Sequence, residues 1–490
     1  MSMRHSSKAL LATFGAVLAL SACGGGGADR VASPGEGAFP PAPPPTTPPP
    51  TNPPPTDPPP PSDGPAADCP TGFANVGLVA GGTMRACALP ESVIGNLLVP
   101  ARDGTAYAIN GRVSVGQDRG GDGTAPIAGA QQGILTIEPG VTLYGSSGAD
   151  LLVVNRGSQI YAQGTVDAPI TLTARADLEG TTNENSIGLW GGLVLLGRAP
   201  INACPGETVS GTPECQEQIE GTDGFYGGNA PSDNSGVVQY LRVKHSGFEV
   251  TPNNELNGIT LGGVGNGTTF DHVQVHNSSD DGIEFFGGTV NGRYIVVTGA
   301  DDDSLDTDTG WNGGLQFGLV IQRSAGGDRM NEWSSIRREP FSNPKVANFT
   351  YVGRGEGNPA ITLNQGSQGE FYNTVVTKAA GGTGSGTQCL AIADENTTGT
   401  FGSVFFSCPT PFADQRAQDA FEAGTGNSVG TSTLTGGFIN GANETAVAAY
   451  QGLPGVHDFF QQVDYIGGVR NASDTWWQGW TCGLTAATPC

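Results

Sequence analysis

His272-Val-Gln-Val-His-Asn-Ser-Ser-Asp-Asp-Gly-Ile-Glu-Phe-Phe-Gly-Gly is followed, 22 residues on, by Tyr294-Ile-Val-Val-Thr-Gly-Ala-Asp-Asp-Asp-Ser-Leu-Asp-Thr-Asp-Thr-Gly, the same pattern written a second time. In this alignment Asp280 and Asp281 fall over Asp302 and Asp303, Ile283 over Leu305, Glu284 over Asp306 and Gly288 over Gly310. A third copy opens at Gln316-Phe-Gly-Leu-Val-Ile-Gln and then drifts. Self-similarity at this period marks a solenoid, because each unit is too small to bury its apolar face except on a neighbour. The units are short β-runs bounded by Gly, Asn and Asp, with no helical period between them. Together these features predict an all-β chain folded as a parallel β-helix.

Similar runs flank the repeat. On its N-terminal side are Ile134-Leu-Thr-Ile-Glu-Pro-Gly-Val, Leu151-Leu-Val-Val, Ile170-Thr-Leu-Thr-Ala, Leu189-Trp-Gly-Gly-Leu-Val-Leu-Leu-Gly, Val237-Val-Gln-Tyr-Leu-Arg-Val and Gly258-Ile-Thr-Leu. On its C-terminal side are Val346-Ala-Asn-Phe-Thr-Tyr-Val, Ala360-Ile-Thr-Leu and Phe371-Tyr-Asn-Thr-Val-Val-Thr. The helix is accordingly assigned to residues 134–440. A solenoid needs its first strand edge covered, so residues 69–133 are read as an N-terminal cap. Residues 441–490 are read as a C-terminal cap in which the aromatics of Trp476-Trp-Gln-Gly-Trp480 plug the last coil. Residues 202–234 read as an excursion out of the stack, and residues 413–422 and 444–451 as short helices.

Of the 490 residues, 78 are Gly and 35 Pro, and charged residues make up only 14%. Enrichment in Thr, Val, Gly and Asn fits a β architecture with many turns. The N-terminus has the form of a signal peptide, residues 1–22: Arg4 and Lys8 precede an apolar run from Ala9 to Ala22 that is too short to span a bilayer. It ends Leu20-Ser21-Ala22-Cys23, which resembles the lipobox of bacterial lipoproteins. That resemblance implies acylation of Cys23, and the Gly24 that follows implies delivery to the outer membrane. Residues 23–68 hold the lipid-anchor cysteine and a tether, Pro43-Pro-Pro-Thr-Thr-Pro-Pro-Pro among them. Such a segment favours polyproline II, and some 25 residues at about 3.1 Å each reach roughly 80 Å. Removal of the signal leaves 20 basic against 46 acidic residues, a net charge of −26. A surface this acidic repels phosphate backbones, so nucleic acid is excluded as a partner.

Setting Cys23 aside leaves eight cysteines, an even number in an exported chain, which suggests disulfides. Clustering in sequence favours Cys69–Cys87, Cys204–Cys215, Cys389–Cys408 and Cys482–Cys490, with other pairings open. No Cys-x-x-Cys spacing points to zinc.

Taken together, Leu135-Thr-Ile-Glu-Pro-Gly-Val, Trp190-Gly-Gly-Leu-Val-Leu-Leu-Gly, Ile219-Glu-Gly, Tyr226-Gly-Gly, Asp233-Asn-Ser-Gly, Asn253-Asn-Glu-Leu-Asn-Gly, Phe286-Gly-Gly-Thr-Val-Asn, Tyr465-Ile-Gly and Trp477-Gln-Gly-Trp480 resemble one group. It is the family of exported right-handed parallel β-helix proteins of Gram-negative bacteria, many of them lipoproteins. The resemblance covers about Leu135 to Trp480 and implies a right-handed helix and export. It carries no activity residue by residue. At fold level the chain is similar to pectate lyases and polygalacturonases, and fold does not fix function.

Chemistry is concentrated in the repeat. Period two places Ile283, Phe285, Leu305 and Thr307 inside, and Glu284, Asp306 and Asp308 outside, with Asp280, Asp281, Asp302 and Asp303 in the preceding turns. Gln274 is assigned to the solvated face, and His272 and His276 to one strand face. Carboxylates on coils about 4.8 Å apart repel by about 3.5 kcal/mol at an effective dielectric of 20. A cation, a shared proton or splayed, solvated side chains would offset this. Calcium suits hard oxygen ligands, and Arg293 and Arg323 flank the ladder as bases for lyase chemistry. Stacked carboxyls also approach the separation a retaining glycosidase uses, although the Gly-His-Gly of polygalacturonases is absent. Equally, Asp serves as a turn former. The leading functional expectation is an outer-membrane lipoprotein, facing periplasm or cell surface, that presents its β-helix as a binding or scaffold module for polysaccharide or an envelope protein. The alternative is a calcium-dependent lyase or a glycosidase at the acidic ladder.

Overall fold

The computed structural model describes residues 64–252, 254–336, 338–485 and 488–490. The signal segment, Cys23 and the tether up to residue 63 lie outside the described residues. Among those described, strands stack into two long sheets, one of 18 strands and one of 11. Every pairing along the short sheet is parallel, and it runs from Ser92–Val93 through Gly192–Leu196, Ile259–Gly262, Ile283–Phe286 and Leu305–Asp308 to Thr410–Phe412. The molecule is a right-handed parallel β-helix. Its register is the one the repeat predicts: Ile283 lies on Leu305, Glu284 on Asp306, Phe285 on Thr307 and Phe286 on Asp308. The drift beyond the second copy has a plain cause, since coils lengthen: Leu305 lies on Asn331 and Asn331 on Ile361.

Period two fills the bore. Ile259, Leu261, Ile283, Phe285 and Leu305 are almost wholly buried, and aromatic rings stack along the axis, Phe285 on Trp311 at 4.1 Å and Trp333 on Phe371 at 4.5 Å. Each such side chain contributes about 1.5–3 kcal/mol by burial. The helix Gln415–Ala423, capped by Asp414, lays Ala417 and Phe421 over the end of this core. All four local disulfides are present.

The long sheet bends at a corner that the sequence does not announce. Tyr240, His272, Tyr294, Phe317 and Asn348 occupy one position in successive coils, each at positive φ inside a long strand. Such residues are strained there. Ring stacking offsets the strain: Tyr240 on His272 at 4.2 Å, His272 on Tyr294 at 4.3 Å and Tyr294 on Phe317 at 5.1 Å. The corner also separates His272 from His276, which meets His245 instead.

Three expectations are corrected. Parallel pairing begins before residue 134, with Met84–Ala88 on Thr105–Ile109 and Gly95–Val99 on Gly133–Ile137. Most of the segment read as a cap is therefore coil, and Ala74–Val79, pairing antiparallel with Met84–Ala88, covers that edge. Residues 441–490 do not plug the last coil. They run back along the long sheet, where Trp480 meets the rings of Tyr240 and His272 and Trp476 meets Tyr294. Gln274 consequently faces this strap rather than solvent: it is 0% exposed, and its amide bonds both the N–H and the C=O of Cys482.

Candidate functional site: an acidic cluster on the short sheet

Strands Ile283–Phe286 and Leu305–Asp308 point Glu284, Asp306 and Asp308 away from the bore, as period two requires. Glu284 is nevertheless shielded from solvent, at only 6% exposed, and Asp306 and Asp308 are half-buried. Two insertions flank the cluster. The hairpin Glu217–Gln218 with Phe225–Tyr226 brings Glu220, and the hairpin Phe248–Thr251 with Asn254–Leu256 brings Glu255. The turn aspartates Asp280, Asp281, Asp302 and Asp303 stack at the start of the same strands.

Four overlapping triads result, each with carboxylate oxygens within 4.8 Å of one another: Glu220–Glu255–Asp280, Asp280–Asp281–Asp302, Asp281–Glu284–Asp306 and Asp302–Asp303–Asp328. The turn chemistry is real, because Asp281 accepts the N–H of Asp303 at 2.9 Å and Asp303 that of Arg329 at 2.6 Å. These bonds staple coil to coil. They leave the charge uncompensated. In the deepest triad the hydrogen bonds among the described residues are one donor apiece: Asp303 N–H to Asp281, Asn257 Nδ2 to Glu284 at 2.6 Å, and Thr307 N–H to Asp306 at 2.6 Å. Asn257, 2% exposed, keeps a buried Oδ1 with no partner, and so does Asp308 with its Oδ1.

Burial and mutual repulsion push the carboxyls upward. Asp281 and Glu284 are held well above the ordinary range by burial and then by Asp306. Asp306 is raised by burial and then by Asp308, and Asp303 by burial and then by Asp302. Nearer the mouth, burial with Asp302 lifts Asp280 to about 8, and burial with Glu255 lifts Glu220 to about 7. Burial with Glu332 takes Asp308 to about 6, and Asp302 is raised by burial and Asp328.

The C-terminal flank is different. Arg329 lies 2.6 Å from both Asp328 and Glu332 and 3.7 Å from Asp303, while Asn358 and Asn364 donate to Asp328 and Glu332. The unrelieved half is therefore Glu220, Asp280, Asp281, Glu284 and Asp306. Of these, Asp280 lines a groove of about 560 Å³ whose wall also includes Phe248, Glu249, Glu255 and Asp302.

The family model for a pectate-lyase-like beta helix domain matches residues 122–481, which hold the acidic coils and both insertions. The chain belongs to this family. No curated protein and no solved structure matches it. Membership accounts for the coil architecture; the chemistry has to come from the side chains on it.

Of the carboxylates singled out in the sequence, Asp280, Asp281, Glu284, Asp302, Asp303 and Asp306 enter the triads, and Asp308 lies beside Phe286 at the edge. The flanking arginines do not reach them. Arg293 stacks over the Phe459 ring at 4.0 Å under the strap, and Arg323 bonds Asp301 and the carbonyl of Ala325. Glu220, Glu255, Asp328, Glu332 and Arg329 were missed. The pattern Ile219-Glu-Gly and the acidic Asn254-Glu-Leu were visible in sequence, but nothing local shows that two insertions flank the same coils.

Proposed function

We propose that this protein is an exported, lipid-tethered binding module that holds calcium in the acidic cluster and takes up an acidic polysaccharide in the adjoining groove. The observation that carries this reading is the triad Asp281–Glu284–Asp306, two buried carboxylates and one half-buried, a set of hard oxygen donors with no arginine or lysine against it among the described residues. The unpartnered oxygens of Asn257 and Asp308 extend the donor set in kind. Bound calcium would neutralise the ladder and offer positive charge to sugar carboxylates that the bare cluster repels. The protein's own part is to hold the carboxylates in register and to wall the groove with Phe248, an exposed aromatic residue of the kind that suits a sugar face. The signal segment, Cys23 and the proline tether support an outer-membrane location.

Calcium in the millimolar range should raise Tm, by about 2.7 kcal/mol of added stability at a hundredfold excess over Kd. Asp306→Asn should abolish that rise, and retention on acidic polysaccharide should be lost in EDTA. Absence of both effects removes the reading. Cys23→Ser should release the chain from membranes; a variant still wholly membrane-bound would refute lipid anchoring there.

A second reading, glycosidase chemistry, is favoured by one arrangement: Asp280 lines the groove and shares a triad with Glu220, and burial with neighbouring carboxylates raises the two to about 8 and about 7, in the range a general acid needs. Lyase chemistry fits less well, because three carboxylates engage Arg329 and raise its pKa against the pull of burial, which removes it as a base. Sugar release from acidic polysaccharide, lost in Glu220→Gln with calcium binding intact, would replace the module with an enzyme.

A further inference from the structure

A second cleft, of about 540 Å³, opens between residues 118–124 and 229–234, beyond the C-terminal ends of early strands of the short sheet. Its two walls are tied together. The N–H of Asn229 donates to Gly121 O at 3.1 Å, that of Gly123 to Asn229 Oδ1 at 2.9 Å, and that of Ala230 to Arg198 O at 2.9 Å. Side chains are excluded from the closest approach, since a Cβ on Gly228 would lie 2.1 Å from Gly121 O.

Arginines meet here in a chain with 46 acidic residues. Arg156, 1% exposed, is fully engaged: it donates to both oxygens of Asp118, to Gln216 Oε1 and to Gly227 O. Arg198 and Arg119 are not. Arg198 lines the cleft at 6% exposure; its Nε donates to Gly120 O and its Nη1 lies 3.7 Å from Asp233, yet its buried Nη2 has no partner. Arg119, also on the cleft, has a buried Nε without a partner. Gly157 makes room for the fork, because a Cβ there would meet Arg198 Nη2 at 2.2 Å.

We infer that this cleft is a subsite for the oxyanion of an acidic sugar, a carboxylate or a sulfate. A buried guanidinium N–H without an acceptor is costly, and an oxyanion, with negative charge and paired oxygens on one centre, is the acceptor that matches it. Gln132 on the wall supplies an amide for sugar hydroxyls, and Asn234, whose Oδ1 accepts the Gly236 N–H, offers its Nδ2. The excursion 202–234 provides both this wall and the hairpin that carries Glu220, so a glycan could engage both sites. The subsite itself requires no cation.

The test titrates the full chain in EDTA with galacturonate, inorganic sulfate and glucose, read by calorimetry and thermal shift. Galacturonate or sulfate should bind and raise Tm, and glucose should do neither; whichever anion binds more tightly identifies the group recognised. Arg119→Gln, at a half-buried position that spares the fold, should weaken binding by at least about fivefold, and Arg198→Lys, which keeps the charge and loses the fork, should do the same. No response to either anion, or equal affinity in wild type and Arg119→Gln, overturns the subsite. Because calcium is absent, that failure is separate from any failure of the acidic cluster.

Discussion

Glu444 and Glu284 are both nearly inaccessible carboxylates, 0% and 6% exposed, and the protein treats them in opposite ways. Glu444, in the strap, accepts from Ser432 Oγ at 2.9 Å, Thr433 N–H and Oγ1 at 2.7 Å each, and Gly441 N–H at 3.0 Å. Against the pull of burial, these donors hold its pKa below the ordinary range. Among the described residues Glu284 accepts one hydrogen bond, from Asn257, and it faces Asp306 and Asp281; burial and then Asp306 drive it well above. One acid is completed by its own chain. The other is left for a proton or a cation to complete, and that difference separates a structural acid from a ligand.

The comparison breaks first if Glu444 proves dispensable. Glu444→Ala leaves two backbone N–H groups and two hydroxyls without their acceptor, and should cost about 3 kcal/mol in urea unfolding. A loss below about 0.5 kcal/mol would mean that its hydrogen bonds do not stabilise the strap. Gln274 is the next test of the strap. Gln274→Asp shortens the side chain and buries a charge beside Cys482, and should cost about 2 kcal/mol. Tolerance there would mean that the strap lifts off in solution.

Glu284→Gln should have the opposite sign in EDTA. Removing one of the three carboxylates within 4.8 Å of one another relieves repulsions of about 3.5 kcal/mol per pair at a dielectric of 20, most of it already relieved by protonation. A gain of about 1 kcal/mol is expected, with the calcium-dependent rise in Tm lost. If the variant is destabilised as Glu444→Ala is, Glu284 is a structural acid and the cation reading falls.

How far the sequence shows these arrangements depends on where each contact comes from. In a parallel stack the neighbour of a residue is the residue one coil on, so aligning the chain with itself places Glu284 on Asp306 directly. Glu220 and Glu255 arrive on insertions, where no period links them to the strands they flank. The corner at Tyr240, His272 and Tyr294 was hidden for another reason: these residues disfavour positive φ, and only their stacking in the folded coil makes the bend tolerable. Gln274 was misread because period two separates bore from exterior but does not show what covers the exterior. The arginine cleft combines both difficulties, being built by loops from three separate coils.

The smallest expected effect, under about 1 kcal/mol because the groups at the mouth are partly solvated, is also the one that reads the two acids together: the dependence of stability on pH. The ladder carboxyls have folded pKa values raised above their unfolded ones. Their contribution is full below the ordinary carboxylate range and is lost as pH rises through about 6 at Asp308, about 7 at Glu220 and about 8 at Asp280. Glu444, depressed in the folded state, contributes above its ordinary value and loses that contribution only as pH falls below it. Between pH 6 and 8 Glu444 is therefore silent, and any decline in EDTA belongs to the ladder. Calcium competes with the same protons, so its stabilising increment should be larger at pH 8 than at pH 6, and the profile with calcium should be flatter. Urea midpoints at pH 6, 7 and 8, with EDTA and with calcium, measure this. Stability in EDTA that stays flat across the window would place the ladder with Glu444, as acids the chain completes by itself.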